Sequence, residues 1–408
     1  MDNNSIQGKQ RYDRVINSLF LSLFFIAPLS RAGINIIAPL LTIVWLIKKI
    51  KFRQDPDEKF TYPEILKGIG LLGVAILLSL LNAENLSAAF KNIVDEYILL
   101  GMIFIVSLDV IKTEKQVESL LKTGLISALL VNLYGIYQHY GLGQPRINSS
   151  FTVATQTGVY FTGVVLLAFA CLLFRKTDRR LTLIGTFLFF SLNLLCVFLT
   201  GTRAAWLGFI AGVALLLIFA FKIKKQVSLK MIVAVFVILI LVATFVDLGW
   251  VFDRMASIID LTNSSNRQRI MMYLGGIKMF RDHPLIGVGI GQFSTVYADY
   301  LMEGADIYTH IHCFYLHLLV ELGLIGFVVF LALVYKILKT GITAYSDRLE
   351  AKNWFYYGVL GALLGIGVCN IFDWTFLNLQ VGTFTLIMVA LWLNQLKTSS
   401  SWVSDPAI

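Results

Sequence analysis

The chain has 408 residues, 57% hydrophobic and only 14% charged, with a mean hydropathy of +0.75 and a formal net charge of +9. Soluble domains carry about 25% charged residues, so these figures exclude an ordinary soluble globule and indicate a polytopic membrane protein. The excess of positive charge does not point to nucleic acid, because most basic residues flank apolar runs.

In chain order, Lys9, Arg11 and Arg14 precede an apolar run from Val15 to Leu29. No A-x-A site follows, so this run reads as a retained first helix. About twelve membrane spans are expected, near 15–29, 33–47, 65–82, 93–109, 118–139, 156–174, 181–199, 203–221, 230–248, 313–335, 354–372 and 378–396. The expected fold is therefore all-α, one integral membrane domain over 1–408, with short linkers that favour antiparallel neighbours. Four scattered cysteines (Cys171, Cys196, Cys313, Cys369) form no CxxC, which argues against a disulfide framework.

The basic residues orient these spans. With the N-terminus in the cytoplasm, most of the 34 lysines and arginines fall on cytoplasmic segments, as the positive-inside rule requires. Both termini are then cytoplasmic. Arg31, Lys91, Arg146, Arg203, Arg254, Arg267, Arg269, Lys278 and Arg281 remain outside. The one long segment, roughly 249–312, is external and too long for an idle connector. Within it, 267–281 reads as an amphipathic helix with an apolar stripe of Ile270, Tyr273, Leu274, Ile277 and Phe280. Arg267, Lys278 and Arg281 share another face, suited to lying at a lipid interface, and Pro284 ends the helix.

Two motifs carry less than they suggest. Gly287, Gly289 and Gly291 form GxGxG without a βαβ unit, so a tight turn after Pro284 is the expectation. Asp55-Pro56-Asp57 resembles a metal-holding D-x-D but sits in a short charged cytoplasmic loop, where a solvated role is expected.

The chemistry gathers on the outer face. Arg203 begins one span, Arg267 and Arg269 lie in the long loop, and His310 and His312 end it. An arginine near hydrocarbon costs about 2.5–3.5 kcal/mol on insertion scales, so Arg203 either anchors its span at the interface or has a ligand there. A guanidinium never deprotonates and binds phosphate oxygens in a bidentate fork. A neutral histidine can take a proton from a hydroxyl. Together they suggest transfer from a phosphate leaving group to a hydroxyl nucleophile. On a regular helix, residues two apart diverge by about 200°. Each pair can then send only one member to a site: Arg267 shares the basic face with Lys278 and Arg281, which favours Arg269, while the choice between His310 and His312 rests on the motif resemblance given below. A zinc HxH lacks an evident third ligand. Glu321, inside a span and one turn from His317, reads first as a structural pair and second as a substrate-binding group. Asp373 and Trp374, at the outer end of a span, either line the site or mark the interface.

The stretches TGTRAAW (200–206), RIMMYLGGIKMFRDHPLIGVGIGQF (269–293) and HIHCFYLHLLVELGLIG (310–326) together resemble the O-antigen ligase and polymerase superfamily. The likeness covers the C-terminal half; the N-terminal half matches in topology alone. It implies an enzyme of the cytoplasmic (inner) membrane, with no metal or other cofactor. A glycan carried on undecaprenyl diphosphate passes to an acceptor hydroxyl, such as that of lipid A–core, on the periplasmic side. By motif position His312 corresponds to the family's catalytic histidine, and Arg203 and Arg269 to its diphosphate-holding arginines. Tyr273 stands where the family usually has Trp, and Cys313 where it commonly has Asn. Arg267, His310, Tyr273, Asp373 and Glu321 are the further substrate-binding candidates. A polymerase of the same superfamily is the alternative, though its members often have two large outer loops. A lipid-linked glycan transporter is the other, though no pair of broken spans stands out.

Overall fold

The computed structural model describes residues 3–175, 179–224, 244–258, 260, 262–346 and 354–398. Among them the chain is helical and holds no strand. Seven helices are long and apolar enough to cross a membrane: Arg31–Lys51, Pro63–Asn82, Glu114–Gly141, Ala154–Phe174, Arg180–Leu199, Arg203–Lys222 and Phe314–Ala344. Two shorter apolar helices, Trp354–Cys369 and Leu379–Gln395, fall on the last two expected spans. The chain is thus all-α and multi-pass, as its hydropathy predicts, with seven of the twelve expected spans meeting both length and apolarity. The run at 15–29 falls largely on α1 (Asn3–Ile26), whose first half carries Lys9, Arg11, Asp13 and Arg14. The run at 93–109 is α4 (Leu86–Asn92) continued into α5 (Leu99–Val110) through a π-helical turn that carries Asp95 and Glu96. The expected span 230–248 lies mostly outside the described residues.

The remaining helices are α2 (Arg31–Lys51), α3 (Pro63–Ser79), α6 (Glu114–Ile136), α7 (Ala154–Phe174), α8 (Arg180–Leu199), α9 (Arg203–Lys224), α10 (Leu248–Ala256), α11 (Ser264–Asp282), α12 (Phe314–Ser346), α13 (Trp354–Cys369) and α14 (Leu379–Thr398). The core centres on α7, which is apolar all round and buried on most faces, as a helix surrounded by α8, α9, α13 and α14 must be. α9 and α13 approach closely: a Cβ at Gly208 would lie 2.4 Å from the Gly365 carbonyl oxygen, and one at Gly212 2.9 Å from that of Gly361. Such small-residue seams allow the backbone contact that drives helix association in lipid. They bring the start of α9, and so Arg203, beside the end of α13, where Cys369 Sγ–H meets the Ala204 carbonyl at 3.3 Å.

Three expectations change. First, the span at 313–335 is broken. Gly323 has φ +63, and the segment after Pro284 inserts at the break. Leu324 N–H and Ile325 N–H donate to the carbonyls of Pro284 and Leu285, while Val288 N–H and Gly289 N–H donate to those of Val320 and Glu321. The GxGxG is therefore a docked loop and not a simple tight turn. A Cβ at Gly287 (φ +74) would lie 2.4 Å from the Glu321 carbonyl oxygen. Irregular backbone at membrane depth persists where protein satisfies its polar groups, and this loop is satisfied on both sides: Asn82 Nδ2 donates to the Gly287 carbonyl, and Gln292 exchanges hydrogen bonds with Asn85.

Second, α11 buries a different face from its apolar stripe. Met272, Gly275, Gly276 and Met279 are the buried residues, against Tyr297, Ile311 and Val320, while Ile270, Leu274 and Ile277 are exposed. Two glycines let the backbone pack closely, a contact that a hydrophobicity pattern cannot register. Of the same stripe, Tyr273 and Phe280 are partly buried against this cluster. Third, the D-x-D is split. Asp55 is buried and pairs with Lys9, while Asp57 is exposed. It belongs to an ion-pair network with Glu58 and is not a solvated loop.

Candidate active site

Four segments far apart in the chain meet at the end of the bundle where α8 passes into α9. The turn Thr200–Thr202 joins those helices. Its carbonyls are held by two arginines from elsewhere: Arg146 Nε–H donates to the Thr200 oxygen at 2.8 Å, and Arg254 Nη2–H to the Gly201 oxygen at 3.0 Å. Arg203, the first residue of α9, reaches α10 and α11. Its Nη1 donates to the Ser257 carbonyl at 2.6 Å and the Ser257 hydroxyl at 3.1 Å, and its Nη2 to Asn266 Oδ1 at 2.8 Å. Asn266 lies one turn before Arg269 on α11, and Arg269 acts electrostatically on Arg203.

The second part of the site is the segment before α12. Phe314 N–H donates to the carbonyls of Asn370 (2.9 Å) and Asp373 (3.1 Å), which staples this segment to the turn after α13. Tyr273 Oη–H donates to the His312 carbonyl at 2.6 Å, which ties α11 to the same point. Burial pushes the Tyr273 phenol up to about 12, so it stays a donor. Asp373, 3% exposed, accepts from Trp374 N–H at 2.8 Å, and its Oδ1 lies 3.3 Å from His312 Nδ1. Burial pushes the Asp373 carboxyl up, but His312, the Trp374 N–H and Arg269 outweigh it and hold it below the usual carboxylate range. The second oxygen, Oδ2, is buried without a hydrogen-bond partner. A carboxylate on Nδ1 fixes the tautomer and turns Nε2 outward as an acceptor. Asp373 thus supplies the orientation that no side chain at Cys313 supplies.

His310 stands with His312 and not opposite it. The rings are 4.9 Å apart, and His310 stacks on Trp374 at 4.9 Å. The two residues precede α12 in non-helical backbone, so the 200° divergence of a helix does not apply. Burial, then the neighbouring His312, lowers His310 to about 4, which keeps it neutral. Arg267 and Arg269 do lie on regular helix and diverge: Arg267 is exposed beside Gly304, while Arg269 acts on Arg203, Tyr308 and Asp373. Glu321 is used elsewhere. It is 2% exposed, accepts from the Phe293 N–H at 3.2 Å and lies 3.5 Å from His317 Nε2, so it holds the glycine loop in the helix break.

Arg146 and Arg254 are absent from the candidates that the sequence offers. Among the described residues no ion pair engages Arg146, Arg203, Arg254 or Arg269. Arg269, Arg254 and Arg146 all act on Arg203 as like charges, so an anion that joins the group relieves their repulsion. His310, His312 and Asp373 also offer three ligand atoms, all within 4.8 Å of one another, including the third ligand that the HxH lacks in the sequence. Arg146 and Arg269 both act on Asp373, however. Their positive charge opposes a dication at this point, so the field favours an anion. The arrangement can bind a polyanion beside an oriented histidine base.

Residues 188–331 match the family model described as O-antigen ligase. No curated protein matches the chain.

Proposed function

With the match over residues 188–331 supporting membership of the O-antigen ligase superfamily, a membrane glycosyl-transfer enzyme of the ligase or polymerase kind, we propose that this chain is a ligase. It transfers a glycan from undecaprenyl diphosphate to an acceptor hydroxyl, that of lipid A–core, at the periplasmic face of the inner membrane. The single integral domain spans 1–408 with both termini cytoplasmic, and 249–312 is its external segment. The observation that carries the reading is His312 Nδ1 at 3.3 Å from Asp373 Oδ1, on a carboxylate that Arg146 and Arg269 also act on, with no ion pair at these arginines, Arg203 or Arg254 among the described residues.

In this mechanism Arg203 and Arg269 hold the diphosphate, and Asp373 holds the His312 tautomer. His312 Nε2 takes the proton of the acceptor hydroxyl as its oxygen attacks the anomeric carbon. The bond from that carbon to the phosphate oxygen breaks, and its electron pair stays on the diphosphate. The arginines stabilise the charge that develops there. Attack from the face opposite the leaving group inverts the anomeric centre. Tyr273 fixes the His312 backbone, and His310, neutral and stacked on Trp374, presents a flat polar surface to a sugar.

Purified protein, supplied with an undecaprenyl-diphosphate glycan with and without lipid A–core, tests the reading on a gel. A product that requires the acceptor, and is lost in His312→Ala, is expected. A ladder of longer donor-linked chains without acceptor would make the enzyme a polymerase. Activity is expected to survive EDTA; loss in chelator restored by a divalent ion would assign His310, His312 and Asp373 to a metal instead.

A further inference from the structure

We infer that Arg146 and Arg254 bind the diphosphate together with Arg203 and Arg269, as one four-arginine receptor built around the Thr200–Thr202 turn. The inference rests on the proposed function and deepens it. Arg146 comes from the loop after α6, and it lies outside the segment that matches the family model.

Arg146 and Arg254 each spend one donor on the turn that leads into Arg203. The turn is shaped for this. Gly201 has φ +58, and a Cβ there would lie 2.6 Å from Trp250 and 3.2 Å from Arg146 Nε. Neither guanidinium has a carboxylate partner among the described residues, and Arg254 Nε is buried with no acceptor. Ser257 links the set, because its hydroxyl donates to the Arg254 carbonyl at 2.7 Å while it receives Arg203. Burial, then the charge of Arg254, lowers the Arg146 guanidinium from its ordinary value, against the opposing pull of Asp373.

The reaction gives two further arginines a task. A diphosphate diester carries two negative charges on four free oxygens. When the sugar–phosphate bond breaks, the released lipid diphosphate has one more charge and one more free oxygen. Two arginines match the donor; a larger set matches the leaving group, which is where stabilisation accelerates transfer.

The test uses the full chain in nanodiscs and undecaprenyl diphosphate as the probe. Arg146→Gln and Arg254→Gln each keep an N–H for the turn carbonyl and remove the charge. Each is expected to weaken binding at least tenfold, and Arg146→Lys and Arg254→Lys to recover part of it. In the wild type, phenylglyoxal labelling read by mass spectrometry is expected to show Arg146 and Arg254 protected by the probe alongside Arg203 and Arg269. This arm stands if a variant fails to fold. Equal protection by phosphatidylglycerol alone would make the cluster a headgroup site and overturn the inference. Wild-type binding in the Gln variants, or unprotected Arg146 and Arg254, with Arg203→Ala and Arg269→Ala defective, overturns the inference and leaves the proposed function standing. Wild-type binding in all four overturns the diphosphate reading itself.

Discussion

The two ends of the bundle treat charge in opposite ways. At the end where α1 begins and α2 finishes, Lys48 pairs with Asp13 at 2.7 Å and Glu58 at 2.8 Å, and Lys49 with Asp109 at 2.8 Å and Glu58 at 3.1 Å. Lys9 joins through Asp55, and Trp45 Nε1–H donates to Asp109 at 2.8 Å. Each of these three lysines has a carboxylate partner in the chain, and Glu58 is 5% exposed. At the end where α9 begins, Arg146, Arg203 and Arg254 donate to neutral acceptors, Arg269 stands near them, and no ion pair engages any of the four among the described residues. Buried charge needs compensation. The first end finds it internally and is structural. The second, on the function proposed above, leaves it to a ligand.

The contrast can be broken, and the largest effect tests its chemistry. His312→Ala is expected to slow transfer about a thousandfold while donor affinity, read by binding, holds. Equal loss of both would move His312 from chemistry to structure. Next, Glu58→Ala strands buried lysines and is expected to cost about 3 kcal/mol of stability, read by thermal unfolding, with donor affinity unchanged. A fall in affinity would erase the distinction between the ends. Arg269→Ala is expected to lower turnover about a hundredfold, and Arg267→Ala to leave it within about twofold, since that exposed side chain stands apart; a reversed order would exchange their roles.

The smallest effect sharpens the comparison through pH. His310 is lowered to about 4 in the folded chain, against about 6.5 unfolded. The unfolded chain therefore takes up the proton first, so stability falls as pH drops from about 6.5 towards about 4. Asp373, held below the usual carboxylate range, contributes stability above its unfolded value of about 3.9 and loses it on further acidification. Unfolding midpoints of wild type and His310→Gln across that window check this, and parallel curves would count against the burial of His310. Since His310 stays neutral above about pH 4, the midpoint of any acid limb of activity above about pH 5 should survive His310→Gln.

The legible part of the site was its motif residues. Arg203 could be named because it sits at the edge of an apolar run, where a charged residue stands out; Arg269 and His312 could be named because their motifs resemble the family's. Arg146 and Arg254 were visible only as basic residues on the outer side. The one hint was their type, for apart from Lys91 and Lys278 the residues assigned outside are all arginines. The docking of the glycine loop into a helix broken at Gly323 was hidden, because a glycine within an apolar run reads as ordinary helix until another backbone occupies the space of its absent Cβ.

What the sequence determined by itself is the all-helical, multi-pass character and the placing of polar residues at span ends. Both follow from transfer free energies that each residue carries locally, summed over a bilayer's thickness. What only the tertiary structure decided is which of those residues meet. His312 and Asp373 are 61 positions apart, and Arg203 reaches Asn266 across 63. Those meetings depend on glycine seams that bring α9 against α13 and on a loop that closes onto a broken helix. Hydropathy carries no term for either, because both are contacts between surfaces and not properties of a residue.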